Sequence, residues 1–319
     1  MKNKSIYLIY DTVNCTPNGD PDNGEQRYNE ITKRATVTDL RVKRFGRDKL
    51  NDLGVPIYYF YDKKSINVSG KSVSGAAARY NAFCGANDID PKKADPMKVL
   101  LDNFVDVRLF GGTLTSKENN AHVMGALQLN AENDSINEVL HGKNLVNRGI
   151  TTIFPSKDSN DQGSMGRDSY LRYGLFNVAG RFSATTAKHN NATDEDLELI
   201  ITAIWDGMKT INSRSKFGHD PIAFIVVEHP TKKVNNGFLG KTFSKTFKPF
   251  EIKTDVPMSD LYRRQDYEFD FTPLKKAIEN GNAENVTVYC EDDEFVQKHF
   301  AGIQNCAIVN PLDALMELV

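Results

Sequence analysis

Cysteine is scarce in this chain: Cys15, Cys84, Cys290 and Cys306 are its four, far apart and without CxxC spacing. That argues against a zinc ribbon or a redox dithiol and fits a reducing, cytoplasmic setting. Long apolar runs are lacking too. The longest, Ile222 to Val227, falls far short of the roughly 20 residues a membrane helix needs. Met1-Lys-Asn-Lys runs directly into a strand-like segment, so no secretory leader is expected. No P-loop, GxSxG, dinucleotide fingerprint or HExxH occurs, and the six histidines are dispersed. Lone residues such as His122 and His219 read as structural or solvent-facing. No cofactor is called for. Nor is there an excess of one charge: 40 Lys and Arg against 42 Asp and Glu give a net charge of −2. A generally basic nucleic-acid coat is thereby excluded.

The positive charge that is present is concentrated. Lys33 to Lys49 carry seven Lys or Arg against two Asp. Read as a helix of about 100° per residue, the segment puts Lys43, Arg44 and Arg47 on one face and Val42, Phe45, Leu50 and Leu53 on the other. The expectation is an apolar stripe that docks and a basic stripe that looks outward, toward a polyanion; the alternative is an ordinary solvated helix face. Thr36 or Thr38 suits its N-cap and Gly54 its stop.

With 39% hydrophobic and 26% charged residues, the chain reads as globular, as one elaborated domain or two. Ser5 to Thr12 predicts a strand covered on both sides, followed by a turn-rich loop at Asn14 to Asn23. Further strands are predicted at Pro56 to Tyr61, Phe104 to Gly112, His122 to Asn130, Tyr170 to Phe182 and Ile222 to Glu228. Helices are predicted at Ser72 to Phe83, Pro96 to Phe104 and Thr193 to Thr210. The last has a Thr193/Asp196 capping box and a core face of Leu197, Ile200, Ile201, Ile204, Trp205 and Met208. Ser156 to Arg167 reads as a mobile inserted loop. Strands and helices alternate irregularly, which predicts an α+β fold.

Other segments carry chemistry with alternatives open. Asn18-Gly-Asp20-Pro-Asp22-Asn-Gly24 fails both calcium-loop registers and reads as a turn-former. Asp20, Asp22 and Asp106 make a metal set only if the fold gathers them. Gly111-Gly112, after Arg108 and Phe110, admits a phosphate backbone or forms a plain turn. Lys209, Arg214 and Lys216 are a second basic group, or complement a helix dipole. Lys241 to Lys248 alternates cations with aromatics, as a single-strand binding ribbon or a half-buried edge strand does.

As a set, Asn18-Gly-Asp-Pro21, Val37 to Asp48 (VTDLRVKRFGRD), Asp106 to Gly112 (DVRLFGG), Gly125 to Gln128 (GALQ) and Ser213 to Gly218 (SRSKFG) resemble the Cas-seven family. These are the backbone subunits of type I CRISPR Cascade complexes, and the match looks closest to subtype I-B. Ala126-Leu127 stands where the family more often has Pro-Val. The resemblance implies a modified RRM or ferredoxin-like palm with inserted finger and thumb segments. One domain over 1–319 is expected, with insertions near 55–104 (finger-like, helical) and 156–167.

It also implies a non-catalytic subunit that stacks head to tail along a CRISPR RNA and presents its bases to target DNA. Its partners are then the RNA, other copies of itself and other Cascade subunits, with no membrane. The RNA-contacting positions it implies include Thr38, Lys43, Arg44 and Arg47. Asn18, Arg108, Phe110, Gly111, Gly112, Gln128, Arg214 and Lys216 join them as candidates. The alternative is a metal-dependent endoribonuclease of the type III kind, using Asp20 or Asp22.

Overall fold

The computed structural model describes residues 1–60, 67–68, 71–72, 75–115, 120–155, 163–230 and 249–319. Strand β1 (Lys4–Cys15) lies inside a seven-stranded sheet. Its alternation sends Ile6, Leu8 and Tyr10 into one core and Tyr7 and Ile9 into another, so both faces are covered as predicted. The other strands are β2 (Leu127–Leu129), β3 (Leu145–Pro155), β4 (Gly163–Phe182), β5 (His219–Glu228), β6 (Asn285–Tyr289) and β7 (Cys306–Val309). Their order is β3-β4-β1-β5-β6-β7, with β2 beside the end of β4; only the β6–β7 pair is parallel. The fold is mixed α+β.

Helices α1 (Asp39–Asp52), α6 (Asp194–Thr210) and α9 (Pro311–Leu318) all pack into the first core. Helices α1 and α6 cross closely because glycines meet there. A Cβ on Gly46 would stand 2.9 Å from Ile200 and Ile204, and one on Gly207 would stand 2.4 Å from the Phe45 carbonyl. The predicted capping box of α6 is present, and all six predicted face residues are buried. Thr38 is the N-cap of α1, and Gly54 follows its end at φ +81°. The second core is closed by α7 (Thr272–Glu279) and α8 (Asp293–Phe300), with Phe250, Leu261 and Tyr267.

A third, smaller core is built from α2 (Ala76–Ala86), α3 (Pro96–Asn103), α4 (Val105–Phe110) and the hairpin Gly111–Thr115/Asn120–Met124. Helix α4 corrects the strand predicted over Phe104 to Gly112. Its apolar residues face opposite ways: Val105, Leu109 and Phe110 enter the main core, Val107 and the preceding Phe104 the small one. A short run buried all round has no period, so its β-branched residues misled.

Pro56 to Phe60 is not a strand either, because the Tyr58 and Tyr59 amides donate to Asp106 instead of to a ladder. His122 to Asn130 divides into the hairpin's second strand and β2. Of the expected loop Ser156 to Arg167, residues 163–167 belong to β4, and residues 156–162 lie outside the described residues. So do residues 231–248, including the Lys241 to Lys248 ribbon. Helix α5 (Ala184–Asn190) connects β4 to α6.

Candidate nucleic-acid interface

The basic stripe of α1 does not look outward as a whole. Lys43 is 6% exposed, and its ammonium donates to Asp39 at 2.6 Å. Arg47 donates to the fully buried Asp106 at 3.0 Å, its guanidinium 5.1 Å from the Phe110 ring centroid and 5.4 Å from that of Tyr59. Only Arg44 of the three is exposed, and it pairs with Asp48 at 3.0 Å. The expectation fails for Lys43 and Arg47 because α1 is covered on two sides: α6 takes its apolar stripe, and α4 with the Tyr58–Tyr59 segment takes the flank beyond. Periodicity within α1 cannot reveal that second neighbour.

Several other candidates are likewise committed within the fold. Arg108 forks onto Asp196 at 2.8 and 2.6 Å and also donates to the Leu101 carbonyl. Phe110 is buried. Gly111 stands at φ +82°, and a Cβ there would meet the Val123 carbonyl at 2.5 Å. One on Gly112 would meet the Tyr59 ring at 2.9 Å. The close approach these glycines allow is that of their own chain. Asn18 is buried, its carboxamide oxygen accepting from both the amide (2.8 Å) and hydroxyl (2.7 Å) of Thr38, so that hydroxyl clamps a loop instead of capping α1. Gln128 is exposed on β2.

Asp20 accepts the Asp22 amide and stands 3.5 Å from Arg27, holding the turn. Asp106 is occupied by Arg47 and the two tyrosine amides. The three aspartates therefore do not form one set, and among the described residues no cluster of three His, Cys, Asp or Glu is placed to hold a metal ion.

Among the described residues, positive charge with no hydrogen bond to a carboxylate lies elsewhere. Arg41, on α1, stacks its guanidinium 4.0 Å from the Phe45 ring centroid, and its Nε and Nη2 have no hydrogen-bond partner among the described residues. Burial lowers its pKa to about 10. Lys216 reaches in beside it and donates to the Thr16 carbonyl. Burial, and then Arg41 itself, push the Lys216 pKa down to about 8. Lys216 thus lies beside a second cation that lowers its pKa, and neither shows a hydrogen bond to a carboxylate among the described residues, though Asp48 nearby raises the pKa of Arg41. His219 lies beneath them, donating through Nδ1 to the Lys216 carbonyl at 2.7 Å; burial lowers its pKa to about 3, so it adds no charge at neutral pH.

Beside Thr16, to which Lys216 donates, lies a groove whose lining includes neither Arg41 nor Lys216. Asn14, Cys15, Thr16, Arg148, Asp168, Tyr170, Arg214 and Ser215 line a cavity of about 350 Å³. A second, of about 450 Å³, shares Arg148 and Asp168 and adds Glu25 and Arg167. Arg214 forks onto Asp168 at 3.0 and 2.8 Å, holding that carboxyl below its ordinary range. Arg148, Arg167 and Arg214 all remain more than half exposed on the rim. Another concavity, of about 710 Å³ beside β5, α6 and α8, has the wrong sign for a polyanion. Asp220, Glu268, Glu291, Asp292 and Glu294 outnumber Lys209, Arg264 and Lys298 in its lining. Lys209 itself pairs with Glu291, away from Arg214 and Lys216.

The model of the family described as CRISPR-associated protein Cas7 matches residues 2–272. The chain belongs to the Cas7 family. A Cas7 protein of Haloferax volcanii is 29% identical over 249 residues, covering 72% of this chain and 71% of that one. Two solved chains are similar over nearly their whole length. One, from a CRISPR RNA-guided surveillance complex described as pre-nicking, covers 99% of each chain with a TM-score of 0.55 and 13% identity. The other, from a CRISPR RNA-guided surveillance complex, gives 0.51 and 13%. At that identity the likeness is one of fold.

Within this Cas7 chain, Arg41, Arg148 and Asp168 escaped sequence reasoning. Arg41 sits four residues before Phe45, on the docking side of the wheel, where a cation looks misplaced. That misplacement was the available signal.

Proposed function

We propose that the chain is a non-catalytic CRISPR RNA-binding backbone subunit of a type I Cascade complex, of the I-B branch. Copies stack head to tail along the guide, alongside other Cascade subunits in the cytoplasm, and present its bases for pairing with target DNA. One observation carries this reading: Arg41 and Lys216, neither hydrogen-bonded to a carboxylate among the described residues, close to an arginine-rimmed groove. Lys and Arg grip phosphate without regard to sequence, as a subunit handling many spacers requires. Sequence is then read by base pairing.

A modified RRM or ferredoxin-like palm is supported by the succession β1-α1-β3-β4-α6-β5 with strand order β3-β4-β1-β5, all antiparallel. In an open RRM, aromatics on the free sheet face stack bases. Here that face lies under α7 and α8, which favours gripping the backbone beside the sheet. Finger and thumb insertions, with residues 55–104 as the finger, belong to the same proposal. The acidic concavity flanks β5 and β6, while the arginine groove flanks β3 and β4. Opposite charge on opposite flanks suits heterologous, head-to-tail association.

The test is to purify the protein from its host in mild salt and sequence the bound nucleic acid. Short RNAs with uniform repeat-derived ends are expected; an RNA-free protein, or RNA of random ends, contradicts the reading.

A further inference from the structure

The turn Ser213 to Gly218 bears a feature that phosphate gripping does not use. Phe217 is 79% exposed. Its backbone, by contrast, is bolted down. The Lys216 and Phe217 amides both donate to the Ser213 carbonyl at 2.9 Å, the Thr16 amide donates to Ser215 at 2.8 Å, and the Val13 amide donates to Gly218 at 2.9 Å. Gly218 is pressed so closely on β1 that a Cβ there would stand 1.9 Å from the Val13 carbonyl. Arg214 is forked onto Asp168, and Lys216 is drawn inward to Thr16. Arg214 projects as well but is tied to Asp168, whereas Phe217 projects as an apolar ring.

Solitary exposed apolar residues are common on protein surfaces and need no explanation. This one differs in two respects. Its turn is rigid, so the ring is presented at a fixed place with little ordering entropy left to lose. It also follows directly on Lys216, whose ammonium lies close enough to Arg41 for the two charges to interact and donates to the Thr16 carbonyl at the edge of the arginine groove. A flat apolar face one residue from such a cation has the chemistry of a nucleotide platform.

We propose that Phe217 is a stacking residue, its ring lying against a nucleobase of the strand whose backbone Arg41 and Lys216 hold. The proposal rests on the RNA-binding reading and adds to it a sequence-tolerant contact to a base. Stacking contributes by face and not by edge, so the contact leaves Watson–Crick edges unread.

The test uses the full chain, a short mixed-sequence RNA and the same RNA made abasic throughout, with affinity followed by fluorescence anisotropy over a range of salt. Phe217→Ala is expected to weaken binding to the intact RNA roughly 5- to 150-fold, the range that alanine substitution of stacking residues gives. The slope of log K against log salt should not change, since no cation is lost. Phe217→Trp should bind the intact RNA as wild type does, and on the abasic strand the alanine variant and wild type should be equal. Unchanged affinity for intact RNA in Phe217→Ala overturns the proposal. So does an equal loss on both strands, which would assign the ring to another contact such as a neighbouring copy. If wild type binds neither strand, the RNA-binding reading falls, and this inference with it.

Discussion

Single residues divide the cations of the chain into those paired with carboxylates inside the fold and those with no such pair among the described residues. Arg47 is of the first kind. Replacing it with alanine strands the Asp106 carboxylate in a buried site, at a cost of roughly 3–5 kcal/mol. The denaturation midpoint should fall accordingly, and Asp106→Asn in the same chain should restore most of the loss. Lys216 is of the second kind. Its folded pKa of about 8 lies below the 10.5 of a free lysine. Between those values the unfolded chain holds more protons than the folded one, so this group makes stability rise with pH; below about 8 its full cost persists. Lys216→Met should therefore stabilise the RNA-free protein at pH 7 by roughly 1–2 kcal/mol. The same variant should weaken RNA binding. In wild type a bound phosphate restores the lysine's charge, so affinity should decline as pH rises above about 8. Isothermal titration at pH 7 and 9 checks this: a loss at pH 9 in wild type, absent in Lys216→Met, is expected.

At the scale of elements, what was legible depended on whether a segment had one neighbour or two. Helix α6 rests one stripe on the sheet and α1, so its apolar period, acidic first turn and capping box were all readable. Strand β1, buried on both faces, was readable from its length and β-branched content. Helix α4 was not, since Val105 and Val107 serve different cores. Helix α1 was half readable: its apolar stripe and ends were correct, but its supposed free flank is covered by residues far along the chain. Of the twelve candidate RNA-contacting positions, only Arg214 and Lys216 lie at the groove and its cationic pair. The α1–α6 crossing supplies the element-scale prediction. Gly207→Ala drives a methyl to 2.4 Å from the Phe45 carbonyl, and should cost about 1–3 kcal/mol. An unchanged melting temperature would show that the two helices are free to separate.

The whole molecule is a sheet with helices on both faces and an arginine-rimmed groove at one flank, where β1, β3, β4 and the turn before β5 meet. Near-neutral net charge and a local cationic site are compatible because most Lys and Arg in the central helices are neutralised in place. The strength of the groove then depends on a few charges that are not. The most direct test is the salt dependence of RNA affinity in wild type, in the double variant Arg41→Gln/Lys216→Gln and in Arg44→Gln. For single strands each phosphate contact contributes about 0.7 to the slope of log K against log salt. The double variant should lose about 1.4 of that slope, alike for unrelated sequences, while Arg44→Gln keeps it. A double variant with the wild-type slope would contradict the account.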